Sequence, residues 1–137
     1  MKFKLTGKLP LLNKIERAFE SQAYMDEITA EAVNEVLLNF ETEGANIGLA
    51  WEPSMRAEKE NGKTLQDTGD LMGKIRGYSE KGSRGPRGYV QTDRIVHGRD
   101  IAEVHDLGLG DQPKRKFMAL PEHFERTFRD IMEKRLK

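Results

Sequence analysis

The sequence predicts an α+β fold in one domain: N-terminal helices, then a small, mainly antiparallel sheet, then a C-terminal helix. Three observations predict it. Apolar residues recur at helical spacing from about Asp26 to Glu43. From Ile75 to Leu120 the chain breaks into short β-compatible runs separated by glycine and proline. From Pro121 the helical period returns. A length of 137 residues fits a single domain, spanning residues 1–137, and such a chain buries about two thirds of the surface it exposes when unfolded.

Pro10 is suited to open a first helix, because its missing N–H is tolerated there, and Leu11, Leu12, Ile15, Ala18 and Phe19 follow at helical spacing. In the helix from Asp26 to Glu43, Ile28, Ala32, Val33, Val36, Leu37 and Phe40 form one face and glutamates fill much of the remainder. Gly44 is placed to end it, since a helix commonly stops on a left-handed residue. Short helices are predicted over Pro53–Glu60, closed by Asn61-Gly62, and over Thr68–Lys74, burying Leu71, Met72 and Ile75. Strands are predicted at Ile75–Ser79, Tyr89–Thr92, Arg94–His97, Ile101–His105 and Lys116–Leu120. The glycine- and arginine-rich stretch over residues 80–88 reads as a mobile loop between strands. The last helix carries Glu122 and Glu125 at its start and Lys134, Arg135 and Lys137 at its end, matching the helix dipole, with Phe124, Phe128, Ile131 and Met132 on its buried face.

Charge is balanced in total but not in place. There are 23 Lys plus Arg and 23 Asp plus Glu, so no net field favours nucleic acid or an anionic membrane. From Ala18 to Met55 the charged residues are all acidic, Glu31 and Glu35 among them, whereas Lys74 to Arg99 is mainly basic and includes Arg84, Arg87, Arg94 and Arg99. Such segregation allows one copy's acidic helix to meet the next copy's basic face in a head-to-tail ring, and neutralisation within one chain explains it equally well.

Reactive constellations are sparse. Cysteine is absent, which excludes disulfides, thiolate metal sites and a cysteine nucleophile. Ser21, Ser54, Ser79 and Ser83 do not lie in a nucleophile-elbow pattern, and Gly69 to Lys74 lacks the spacing of a phosphate-binding loop. A metal site would need His97 and His105 to converge with a carboxylate such as Asp106, whereas single histidines are usually ordinary hydrogen-bonded groups. No apolar run approaches the roughly 20 residues of a membrane helix, and Met1 to Pro10 has no signal-peptide core. The expectation is therefore no enzyme, no cofactor, no bound metal and no membrane contact. Trp51, the sole tryptophan, either anchors an interface or caps the core with its indole N–H bonded.

Four stretches, taken in order, carry a resemblance. They are Asn39-Phe40-Glu41 followed by glycine and Trp51-Glu52-Pro53-Ser54; Thr64 to Ile75, containing Leu65-x-x-Thr68-Gly69-x-Leu71-x-x-x-Ile75; Ile101-Ala102-Glu103-Val104-His105-Asp106-Leu107-Gly108; and Pro113-x-Arg115-x-Phe117-Met118-x-Leu120. In this order, ahead of a terminal helix, the chain resembles the Mu-like phage virion morphogenesis family, which includes tail completion proteins. Ile101 stands where the family pattern has tyrosine. The resemblance implies a structural subunit of a tailed bacteriophage that completes the tail or joins it to the filled head, as a homo-oligomeric ring for which a hexamer is suitable. It implies partners among neck, connector and tail-tube or terminator proteins, with DNA in the lumen, and a location in the host cytoplasm during assembly and then in the virion. It also implies framework roles for Thr68, Gly69, Leu71, His105, Gly108, Pro113, Arg115 and Phe117. The rival reading is a nucleic-acid-contacting module that uses Arg84, Arg87, Arg94 and Arg99.

Overall fold

The first strand is a period-two alternation at the start of the chain: Lys2-Phe3-Lys4-Leu5-Thr6 forms β1 (Lys2–Thr6), burying Leu5 and exposing the two lysines. The computed structural model describes residues 1–6, 18–65, 70–82, 85–92, 95–96 and 98–136. β1 is followed by α1 (Ala18–Glu41), α2 (Met55–Glu60), α3 (Asp70–Gly73), β2 (Arg76–Gly82), β3 (Gly85–Gln91), β4 (Ile95–Val96), β5 (Arg99–Asp100), α4 (Ile101–Leu107) and α5 (Phe124–Leu136). This is the α+β class, with a C-terminal helix closing the chain. The helix expected to start at Pro10 lies outside the described residues.

The sheet has the order β1-β3-β2, antiparallel throughout. Helix α1 packs across one of its faces and also against α5. The close approach depends on glycine: a Cβ on Gly77 would come within 2.7 Å of the Val33 side chain, and one on Gly88 would run into Thr29. Val90 from the central strand, Met25, Ile28, Ala32, Val36 and Phe40 from α1, and Phe124, Ile131 and Met132 from α5 form one core with Phe117 and Trp51. Burying such side chains stabilises by about 1.5–3 kcal/mol each before the entropy of ordering them is counted.

Helix α1 begins at least eight residues before the Asp26 start that the apolar spacing predicts, and ends at Glu41. Glu43 and Gly44 then both take positive φ, 51° and 90°, and the Gly44 N–H donates to the Asn39 carbonyl. In α2 the expected boundaries hold to within two residues: the Ser54 hydroxyl accepts from the Ala57 N–H, and Asn61 closes the helix in the left-handed region.

Three expectations are overturned. Ile101–His105 is not a strand but most of α4, because the Asp100 carboxylate caps the Ala102 N–H and Gly108 supplies the left-handed stop. Its apparent alternation arises because Ala102, Val104 and Asp106 of a two-turn helix are all buried. Lys116–Leu120 belongs to no sheet; it bends at Met118, where the Ala119 N–H donates to the Phe117 carbonyl, and is held by side chains. The loop expected over residues 80–88 is mostly a β-hairpin, with Glu80 opposite Arg87, Lys81 opposite Pro86 and Gly82 opposite Gly85. Glycine weakens a strand, yet at 88 it is what lets β3 lie against α1.

Candidate functional site

Three of the four stretches singled out in the sequence, though far apart in it, meet at one segment, residues 115–119, which is strapped to the core by side chains instead of by a sheet ladder. Asp106, fully buried on α4, takes the N–H groups of Phe117 and Met118 on Oδ1, at 2.9 and 2.8 Å, and Lys116 Nζ on Oδ2 at 3.2 Å. Asn39, fully buried on α1, donates from Nδ2 to the carbonyls of Phe117 and Ala119, at 2.7 and 2.9 Å. Trp51 donates its indole N–H to the Lys116 carbonyl at 2.9 Å. Apart from the Lys116 ion pair, each of these bonds satisfies a backbone group of the segment.

Aromatic packing locks the same place. The Phe40 ring lies 5.8 Å from Trp51, edge to face, and 4.8 Å from Phe117. Arg115, only 4% exposed, donates from Nε to the Glu52 carbonyl at 2.8 Å, and its backbone N–H donates to the His105 carbonyl at 2.8 Å. Gly108 stops α4 at φ 69°. The second stretch reaches the core through Leu71, and Thr64 donates its N–H to Glu43 Oε1 at 2.7 Å; Thr68 and Gly69 lie outside the described residues. Pro113 is half-buried ahead of the strap.

The expected interaction residues are dispersed. Trp51 is 8% exposed with its indole N–H given to the Lys116 carbonyl, the arrangement of the core cap, one of the two roles the sequence offers. Glu35 is committed within its own chain: Oε2 accepts from Asn46 Nδ2 at 2.9 Å, and Oε1 lies 3.4 Å from His123 Nε2. Glu31 is half-buried on the same helix. Arg87 projects from β3 and Arg99 is exposed on β5, while Arg84 and Arg94 fall outside the described residues. His97 also lies outside them, and both oxygens of Asp106 are engaged in holding the strap, so the carboxylate positions backbone. Among the described residues no group of three or more His, Asp or Glu could hold a metal ion, and no helix is long and apolar enough to cross a membrane.

Two features lay beyond the sequence-based reading. Asn39 was legible as a polar residue on the apolar face of α1, the usual signature of a buried amide with a specific partner. The other is the outer face of the sheet, where Lys2, Lys4, Arg76, Tyr78, Arg87 and Tyr89 share one side by register. The first two of these come from the alternating start of the chain, whose pattern signals a strand with one wet face.

Trp51→Phe is expected to keep the ring packing and leave the Lys116 carbonyl without its donor, lowering stability by about 1–3 kcal/mol. Urea unfolding followed by circular dichroism measures it; a loss below 0.5 kcal/mol would show that the indole bond is dispensable.

Comparison with protein-family models, with curated proteins and with solved structures finds no match for the chain.

Proposed function

We propose that the chain is a structural subunit of a tailed bacteriophage, a tail completion or neck protein that works through protein-protein contacts in a ring. The observation that supports it most is the convergence at the 115–119 strap. Residues of three of the resembling stretches bond to one another or to the same short segment, as expected if the stretches encode one framework and not four chance likenesses. Their polar atoms hold that framework, and the family resemblance carries the rest of the proposal.

Glu35 is engaged inside its own chain, so the subunit contact is sought elsewhere. Two large apolar side chains stand in water where α4 ends: Leu107 and Leu109, 48% and 42% exposed, on either side of Gly108. Their exposure supports assigning them to the contact with a neighbouring copy, with neck, connector or terminator proteins as further partners.

Sedimentation velocity tests this on the purified 15.7 kDa chain, alone and mixed with tails of the phage that encodes it. The expected species is a closed ring, and a hexamer would sediment as roughly six chain masses. The double variant Leu107→Ser/Leu109→Ser is expected to stay folded, within about 0.5 kcal/mol per exposed site, and to sediment as a monomer. A wild-type chain that remains monomeric and does not co-sediment with tails or neck components would defeat the proposal.

A further inference from the structure

Three rows of side chains cross the uncovered face of the sheet. By register they are Lys2, Gln91 and Arg76; Lys4, Tyr89 and Tyr78; and Thr6, Arg87 and Glu80. Helix α1 occupies the opposite face, against Gly77 and Gly88. The two tyrosine rings stack at 4.9 Å and 19°, on neighbouring strands. Lys2 Nζ lies 4.8 Å from the Tyr89 ring centre and 3.4 Å from Tyr78 Oη. Arg76 is set along the same row, its Nε and Nη2 2.9 and 2.7 Å from the Gln91 amide oxygen. Among the described residues the three rows thus hold Lys2, Lys4 and Arg87, with Arg76 already engaged, and one carboxylate, Glu80, which accepts from Tyr89 Oη at 3.0 Å. In a chain whose charges sum to zero this is a local concentration of positive charge.

We propose that this face binds single-stranded nucleic acid, with Tyr78 and Tyr89 as the stacking platform and Lys2, Lys4, Arg76 and Arg87 as the phosphate contacts. The inference is independent of the phage reading. Cations alone would suit any polyanion, but the tyrosines decide the class. Tyr78 sits on the edge strand, 38% exposed, with Tyr89 against one side of its ring, so a base can continue the stack on the other. A base offers the π-face this requires and a carboxylate does not. Strands about 4.8 Å apart make a three-strand face about 10 Å across, a width that takes one strand laid flat, whereas reading a duplex calls for an element that enters a groove. The acidic helix of a second copy is the weaker occupant, because Glu31 and Glu35 are half-buried in their own chain.

Fluorescence anisotropy with 5′-labelled dT15 and the full chain tests the proposal. Saturable binding is expected at low salt, with log K falling against log salt at a slope of about −2 to −3 for three or four phosphates neutralised on a single strand. Tyr78→Leu should weaken binding about tenfold or more while Tyr78→Phe retains it, since one base–aromatic stack is what differs. Lys4→Glu should weaken binding and flatten the salt slope. Both positions are exposed, so circular dichroism should match the wild type. No saturable binding at 50 mM salt, equal affinity for a duplex of the same length, or unchanged affinity in Tyr78→Leu would each overturn the proposal. Loss of self-association in Lys4→Glu, with no binding of dT15 by the wild type, would instead assign the face to a second copy.

Discussion

Asp106→Ala is expected to lower stability by about 3–5 kcal/mol and to lower the melting temperature by on the order of 10 °C. The aspartate is fully buried and accepts two backbone N–H groups on one oxygen. Alanine leaves both donors buried with no acceptor, at about 1–3 kcal/mol each. The Lys116 ion pair adds less, because the lysine side chain is 32% exposed and the pair is partly screened by solvent. Asp106→Asn separates these contributions. Its amide oxygen can still accept from Phe117 and Met118, so it should lose about half as much or less. Trp51 reports the result directly: it is the sole tryptophan and is bonded to Lys116 within the strap, so release of that segment should shift its emission to the red before global unfolding. If Asp106→Ala and Asp106→Asn unfold at the same urea concentration as the wild type, the carboxylate is not what holds residues 115–119.

This prediction marks where the sequence was legible and where it was not. The apolar period of α1, the Asn61 stop of α2 and the buried face of α5 are local patterns, and each is found in the fold. The strap is not local. Lys116 to Leu120 has a strand-like composition, but what fixes it is an asparagine from α1, an aspartate from α4 and a tryptophan from the intervening loop. Period alone cannot distinguish a segment paired to a strand from one held by side chains. The reverse error occurs at Ile101 to His105, where a short buried helix mimics alternation and only the Asp100 and Gly108 caps distinguish it. In the hairpin at 80–88, glycine and arginine read as a loop because the reason for Gly88, contact with Thr29, comes from a helix about sixty residues earlier.

The candidate surfaces divide in the same way. The tail-completion reading rests on short motifs whose residues proved to be largely internal, so those motifs describe a framework. The outer sheet face was hidden because its two halves lie far apart in the chain: Lys2 and Lys4 on β1, Arg76 and Arg87 on the hairpin. Only the register β1-β3-β2 brings them together. A chain with zero net charge thus still presents a cationic face, which a global charge argument discounts.

Gly44→Ala is expected to be as damaging as the loss of Asp106, at about 3 kcal/mol or more, and for a different reason. Gly44 has φ 90°, so any side chain there incurs roughly 1–2 kcal/mol of backbone strain. A Cβ would also run into the Leu49 carbonyl oxygen and come within 2.6 Å of the Trp51 ring. That carbon cannot be accommodated by rotating a flexible side chain, since the obstacle is backbone. The turn that carries Trp51 must move, and with it the indole bond to Lys116 and the contact with Phe40. Gly48 provides the control four residues on. It too has positive φ, 72°, yet nothing lies within 4 Å of its added Cβ, so Gly48→Ala should incur only the strain of about 1 kcal/mol. Urea unfolding of the two variants therefore separates conformational strain from collision. Equal losses at 44 and 48 would mean that the turn yields freely and that Trp51 is not pinned by Gly44.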